Sequence, residues 1–94
     1  VVNSWKNFWG YSKHKDLQDD YIQSWKFVAE RFKSNPKVIG YDLMNEPWAG
    51  DLVKAFITGD FERTQLSAFY NRIIPALRSI ETQKYFFLNQ HLRL

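Results

Sequence analysis

The chain has 94 residues and a mass of 11.3 kDa, which is enough for one small domain. Hydrophobic residues make up 45% and aromatic residues 18% of it, a composition that argues against disorder and indicates a dense core or surfaces that stack on sugar rings. Because the chain has no cysteine, disulfide frameworks and cysteine-based zinc sites are excluded. The net charge of +3 comes from basic residues interleaved with acids, so we expect no nucleic-acid partner. We also find no transmembrane segment and no signal-peptide pattern.

The first half of the chain predicts a loop, a helix and a strand. Residues 1–15 carry clustered aromatic residues without a clear period, which indicates an irregular loop. Residues 16–33 have apolar side chains at the spacing of one helix face, with aspartates crowded into the first turn. The nearly continuous apolar run at residues 38–45 predicts a strand covered on both faces, as in a parallel sheet. Asp42 interrupts this run and is unfavourable there unless its side chain is hydrogen-bonded.

The second half predicts a long loop, a second helix and a second strand. Residues 47–63 form a connection whose length is typical of functional loops. Residues 64–80 have the pattern of an amphipathic helix, which Pro75 should kink or split, and residues 85–88 form a short buried strand. Two parallel strands joined by one helix make a single crossover unit with open edges. We therefore expect the chain to be a piece of a larger α/β protein.

The chemically informative residues stand at the end of the first predicted strand. Glu46 lies between Asn45, which offers both a donor and an acceptor, and Pro47, which restricts its predecessor to extended geometry. Trp48 offers an apolar wall, and such walls raise the pKa of a carboxyl group toward the range of a general acid. A solvated carboxylate at a simple strand exit is the alternative interpretation of the same tripeptide.

Glycoside hydrolase family 5 has a fourth-strand motif that residues 37–51, KVIGYDLMNEPWAGD, closely resemble. The Trp-Ala-Gly element within it resembles the endoglycoceramidase branch, and the similarity extends over residues 7–87. The resemblance implies an α/β fold in which residues 1–94 are a partial catalytic domain. This would be a fragment of a (β/α)8 TIM barrel, namely helix 3, strand 4, helix 4 and strand 5.

The same resemblance implies a retaining O-glycosyl hydrolase that cleaves the oligosaccharide–ceramide linkage of glycosphingolipids. In that interpretation Glu46 is the acid/base, Asn45 and Trp48 bind substrate, and Asp42 supports the barrel interior. The partners are an oligosaccharide or glycolipid substrate and the remainder of the barrel. The resemblance implies no cofactor, no metal, and a secreted or lysosomal location.

A second catalytic carboxylate is not evident in the sequence. Retaining hydrolysis needs two carboxylates about 5–5.5 Å apart, and the family's nucleophile is a glutamate on the seventh strand. Glu30, Glu62 and Glu81 are all predicted to be helical or helix-flanking, so we expect the chain alone to be inactive. Residues 89–94 also depart from the family, which usually places an acidic residue just after the fifth strand.

Two other functions remain open. The barrel could act on a β-glucan or β-mannan, since one fold hosts many substrates. The chain could instead be a non-catalytic module that contacts carbohydrate or lipid through Trp48 and the aromatic residues of 1–15. His14 and His91 are isolated, and the acidic cluster at residues 16–20 is interpreted as helix-start electrostatics rather than a calcium site.

Overall fold

The structure is a computed structural model that describes residues 2–11, 13–45, 47 and 61–89. Along the chain the elements are helix α1 (Val2–Trp9), helix α2 (Lys15–Phe32), strand β1 (Gly40–Asp42), a π-helical segment (Phe61–Leu66) that continues into helix α3 (Ser67–Arg78), and strand β2 (Tyr85–Phe87). No helix in the described part of the chain is long and apolar enough to cross a membrane.

Helix α1 replaces much of the predicted loop over residues 1–15, and that prediction is wrong for residues 2–9. Trp5, Phe8 and Trp9 have the i, i+3, i+4 spacing that places three side chains on one helix face. The rings of Phe8 and Trp9 lie 5.4 and 5.8 Å from the ring of Phe69 in α3. A helix of two turns is marginal by itself, so this packing against the core is what stabilises it.

Helix α2 begins and ends within one residue of the predicted range, 16–33. Asp16 in its first turn and Arg31 in its last turn complement the helix dipole. Beyond its end, the side chain of Asn35 accepts a hydrogen bond from the backbone N–H of Lys37 at 3.0 Å, and Pro36 between them prevents continuation of the helix.

Helix α3 covers most of the second predicted helix, 64–80, and it continues through Pro75 without being split. The backbone N–H of Ser79 still donates to the carbonyl of Pro75 at 3.2 Å. Residues 48–60 of the predicted loop over 47–63 lie outside the described residues, and residues 61–63 belong to the π-helical segment rather than to a loop.

The two strands are parallel, as expected for a crossover unit, with Tyr41 opposite Phe86 at the centre. The strands are shorter than the predicted ranges 38–45 and 85–88, although bonds from Tyr85 N to Ile39 O (3.1 Å) and from Leu43 N to Phe87 O (3.3 Å) extend the pairing on both sides.

Only one sheet face is covered within the described residues, which corrects the prediction of two buried strands. Tyr41 on the helix side is 6% exposed, whereas Tyr85 and Phe87 on the other side are 68% and 48% exposed. The apolar side chains on the uncovered face therefore indicate that another part of a larger protein packs against it. The core lies between the helices and the covered face and consists of Trp9, Ile22, Ala29, Tyr41, Leu43, Met44, Leu66, Phe69, Tyr70, Ile73 and Leu77.

Candidate active site

The candidate site begins where β1 ends, at the carboxyl edge of the parallel pair. Asn45 is exposed there, and Pro47 is fully buried. Glu46 and Trp48, the predicted acid/base and substrate-binding residues, lie outside the described residues. The described geometry therefore concerns what holds the chain on either side of Glu46.

Two side chains of α2 hold the exit of β1 through one backbone carbonyl. The hydroxyl of Tyr21 donates to the Leu43 carbonyl at 2.6 Å, and Nε1 of Trp25 donates to the same oxygen at 3.0 Å. Both aromatic residues belong to the apolar face that was predicted for residues 16–33, but these bonds were not predicted. Hydrogen bonds from these two residues could have been expected from their residue types, because buried tyrosine and tryptophan side chains usually find a partner for their polar atom.

Asp42 is exposed on the uncovered face of the sheet rather than buried between two covered faces, and its side chain is hydrogen-bonded there. Its Oδ1 accepts a bond of 2.5 Å from Nδ2 of Asn89, which follows the end of β2. The Asn89 carbonyl accepts a bond of 2.6 Å from the Tyr70 hydroxyl. Burial, with the nearby Asp42 charge, raises the pKa of Tyr70 to about 12, although the bond to Asn89 opposes this shift.

The described glutamates do not stand beside this edge. Glu30 forms an exposed ion pair with Lys33 on α2, with 2.7 Å between Oε1 and Nζ. Glu81 is buried in the turn before β2 and accepts bonds from the backbone N–H groups of Gln83 (3.1 Å) and Lys84 (3.3 Å). The side chain of Glu62 lies outside the described residues. None of the glutamates whose side chains are described thus stands at the end of β1, where the described carboxylate is Asp42, bonded to Asn89.

The aromatic residues of the first 15 positions pack inward rather than forming an exposed surface. Trp5 stacks on Trp9 with 6.1 Å between ring centroids, and Trp9 is 5% exposed. Tyr11 lies under the guanidinium of Arg72 at 3.9 Å and donates to Asp19 at 3.1 Å. These contacts give the rings a role in packing, as expected for most tryptophan and phenylalanine side chains.

Metal ligation has no candidate in the described part of the chain, where no group of three or more histidine, cysteine or acidic side chains lies together. His91, one of the two isolated histidines, lies outside the described residues.

Comparison with known proteins decides the family. The cellulase model of glycosyl hydrolase family 5 matches residues 2–91. The chain belongs to this family. Barrels of this kind have their active sites at the carboxyl ends of the strands, and Asn45 and Pro47 follow β1 at that edge.

Three known proteins match this chain over most of its length. An endoglycoceramidase of Hydra vulgaris is 34% identical over 80 residues, which is 82% of this chain and 16% of that protein. A β-xylosidase of Phanerodontia chrysosporium is 32% identical over 82 residues, or 87% of this chain and 14% of that protein. The solved structure of endo-glycoceramidase II from Rhodococcus sp. in complex with ganglioside GM3 superposes with a TM-score of 0.84 at 34% identity, covering 97% of this chain and 20% of that one. The chain thus spans about a fifth or less of the length of these relatives.

Proposed function

We propose that this family 5 chain is the helix 3, strand 4, helix 4 and strand 5 portion of a (β/α)8 barrel in a retaining glycosidase, with Glu46 as its acid/base. The observation that supports the proposal is that Asn45 and Pro47, which flank Glu46 in the sequence, follow within five residues of the end of β1, the first strand of a parallel pair whose intervening helix is α3. In barrels of this kind the catalytic residues come from the ends of several strands.

The chemistry assigned to Glu46 has two steps. Its carboxylic acid first protonates the glycosidic oxygen of the leaving group while a second carboxylate attacks the sugar carbon. Its carboxylate then removes a proton from the water that releases the sugar from the enzyme. Asn45 would bind a sugar hydroxyl, and Trp48 would supply an apolar wall of the cleft.

The second carboxylate must come from another strand of the barrel, about 5–5.5 Å from Glu46. Since the described glutamates stand elsewhere, the 94-residue chain by itself is assigned no turnover. The activity belongs to a protein that contains the whole barrel, which we call the complete enzyme.

The proposed substrate is a glycosphingolipid cleaved between oligosaccharide and ceramide. The endoglycoceramidase relatives and the ganglioside complex of the Rhodococcus enzyme support this choice. The β-xylosidase relative supports a β-glycan as the second candidate. A panel of gangliosides, β-glucans and β-mannans assayed with the complete enzyme is expected to show release of oligosaccharide from ganglioside, and activity on the glycans alone would favour the second candidate.

Substitution of Glu46 by glutamine tests its catalytic role. Because glutamine cannot donate or accept the proton, we expect Glu46→Gln to lower kcat on gangliosides by about 10²–10⁴-fold. Glu30→Gln, which makes the same change at an exposed ion pair on α2, is the matched control and should retain activity. Hydrolysis by Glu46→Gln at the native rate would remove Glu46 from the mechanism.

A further inference from the structure

One backbone oxygen at the exit of β1 receives two side-chain hydrogen bonds from α2. The carbonyl of Leu43 accepts from the Tyr21 hydroxyl at 2.6 Å and from Nε1 of Trp25 at 3.0 Å. Because a carbonyl oxygen has two lone pairs, these two donors use its whole acceptor capacity. The N–H of Leu43 donates to the carbonyl of Phe87 at 3.3 Å. Both backbone polar groups of Leu43 are therefore held, one by α2 and the other by the end of β2.

The two donor side chains are themselves held by packing in the core. The Tyr21 ring lies edge-on at 5.6 Å from Phe8 and 5.7 Å from Phe69. The Trp25 ring lies 5.9 Å from Tyr41. The residue that accepts their hydrogen bonds is fully buried. The two bonds therefore join a packed helix face to the backbone, and they fix the direction of that carbonyl as well as its position.

The fixed carbonyl lies three residues before Glu46, in a stretch of chain that is anchored on both sides of that residue. Leu43 and Met44 expose 0% and 6% of their surface, and Pro47 is fully buried. Proline also restricts its predecessor to extended geometry. The backbone at position 46 is thus confined between two buried anchors, and the first anchor includes the two bonds from α2.

We propose that Tyr21 and Trp25 are positioning residues. By fixing the Leu43 carbonyl, they set the direction in which the chain leaves β1, and so the point at which the acid of Glu46 meets the glycosidic oxygen. This inference rests on the proposed role of Glu46 as acid/base. Neither aromatic side chain is assigned a contact with substrate, because both act through the backbone of residues 43–46.

A misplaced general acid affects only those substrates whose leaving group needs a proton. Proton transfer requires the acid to lie within about 2.6–3.2 Å of the leaving oxygen. An alkoxide needs that proton, whereas a dinitrophenolate leaves without it. Loss of folded protein, in contrast, lowers the rates on both kinds of substrate in the same proportion. The ratio of the two rates therefore separates a positioning role from a purely structural one.

Two variants of the complete enzyme test the proposal, Tyr21→Phe and the double variant Tyr21→Phe/Trp25→Phe. Tyr41→Phe is the matched control, because it also removes one hydroxyl from a packed tyrosine ring, but that hydroxyl bonds to Glu81 at 3.4 Å in the turn before β2. For each variant, kcat/KM is measured on an alkyl β-lactoside and on 2,4-dinitrophenyl β-lactoside relative to the native protein, together with the melting temperature.

We expect the losses to be selective for the alkyl glycoside. Tyr21→Phe, which keeps the Trp25 donor, should lower kcat/KM on this substrate about threefold, and the double variant should lower it about tenfold or more, since small misplacements of a catalytic group are costly in rate. Both variants should stay within about twofold of the native rate on the dinitrophenyl glycoside. Tyr41→Phe should keep the native ratio of the two rates, whatever its melting temperature.

The proposal is overturned if the double variant folds and its two rates fall in the same proportion, or do not fall at all. An altered ratio in Tyr41→Phe would also overturn it, because loss of a distant hydroxyl would then produce the same effect. If the double variant does not fold, the ratio measured for Tyr21→Phe decides in the same way. Failure of the proposed function is distinguishable, because Glu46→Gln itself would then show no selective loss on the alkyl glycoside.

Discussion

At the scale of single residues, Glu81 is a buried carboxylate whose pKa is shifted by its surroundings. Burial works to raise its pKa, but bonds from the backbone N–H groups of Gln83 and Lys84, the Lys84 charge and the Tyr41 hydroxyl outweigh burial, so the pKa lies below its ordinary value of 4.5. Burial, with the Glu81 charge and hydrogen bond, conversely raises the pKa of Tyr41. Glu81 thus fixes the turn before β2 as an ionised group.

The lowered pKa predicts how stability depends on pH. Because Glu81 binds protons more weakly in the folded than in the unfolded chain, its contribution is complete above about pH 4.5 and is lost as the pH falls through the folded pKa. We expect Glu81→Gln to lower the free energy of unfolding of the complete enzyme by about 1–3 kcal/mol at pH 7 and by less at pH 3.

Urea unfolding at the two pH values measures this difference. Glu30→Gln is the control, because it removes the same charge from an exposed ion pair and should change stability by less than about 1 kcal/mol. Equal effects of the two substitutions at both pH values would contradict the role given to Glu81.

At the scale of elements, the contact between α2 and the exit of β1 depends on two donors that share the Leu43 carbonyl. Tyr21→Phe leaves Trp25 as the remaining donor and should cost about 0.5–1.5 kcal/mol of unfolding free energy. Adding Trp25→Phe leaves the carbonyl without a side-chain donor, so the double variant should cost more than the sum of the two single variants. A double-mutant cycle measures this coupling, and it would be contradicted if the changes in unfolding free energy of the two single variants simply added. Tyr85→Phe, which removes a hydroxyl from an exposed ring, is the control and should leave stability unchanged.

The close approach of β1 and β2 makes Gly40 a second sensitive point. A Cβ atom at this position would lie 2.6 Å from the Tyr85 carbonyl oxygen and 2.7 Å from Cε2 of Phe87. We therefore expect Gly40→Ala to lower the free energy of unfolding by about 1–3 kcal/mol. Gly10→Ala, where the nearest atom would be the Lys6 carbonyl oxygen at 3.2 Å, is the control with a smaller effect. Urea unfolding measures the free energy of unfolding of both variants. An unchanged value for Gly40→Ala would contradict the expectation, because it would mean that the strands can move apart at this position without loss of stability.

The elements also show what the sequence could predict. Helix α2 was predicted within one residue at each end because its apolar period extends over 18 residues. Helix α1 was missed because eight residues contain only one set of aromatic residues at helical spacing. The apolar run predicted a buried Asp42 in need of a partner, but the side chain is exposed; its partner, Asn89, could not be predicted, because no local pattern relates residues 47 positions apart.

At the scale of the whole molecule, the uncovered sheet face supports the proposal that the chain is one part of a larger barrel. Tyr85 and Phe87 expose 68% and 48% of their surface on this face, which is unusual for apolar residues in a parallel sheet. In the proposed barrel this face is directed inward and is covered by the other strands.

The isolated 94-residue chain should therefore hydrolyse no ganglioside and should bind a dye specific for exposed apolar surface. The complete enzyme, assayed at the same molar concentration, should turn over ganglioside and bind little dye. Turnover by the isolated chain, purified from a host without this activity, would contradict the assignment of the second carboxylate to another strand.

The central claim is that Glu46 donates a proton to the leaving group, and the dependence of the rate on that group tests it most directly. The measurement is kcat/KM of the native complete enzyme and of Glu46→Gln on an alkyl β-lactoside and on 2,4-dinitrophenyl β-lactoside, because kcat/KM reports the bond-breaking step. The account predicts a loss of about 10²–10⁴-fold on the alkyl glycoside and a far smaller loss on the dinitrophenyl glycoside, whose phenolate leaves without a proton. An equal loss on both substrates would contradict it.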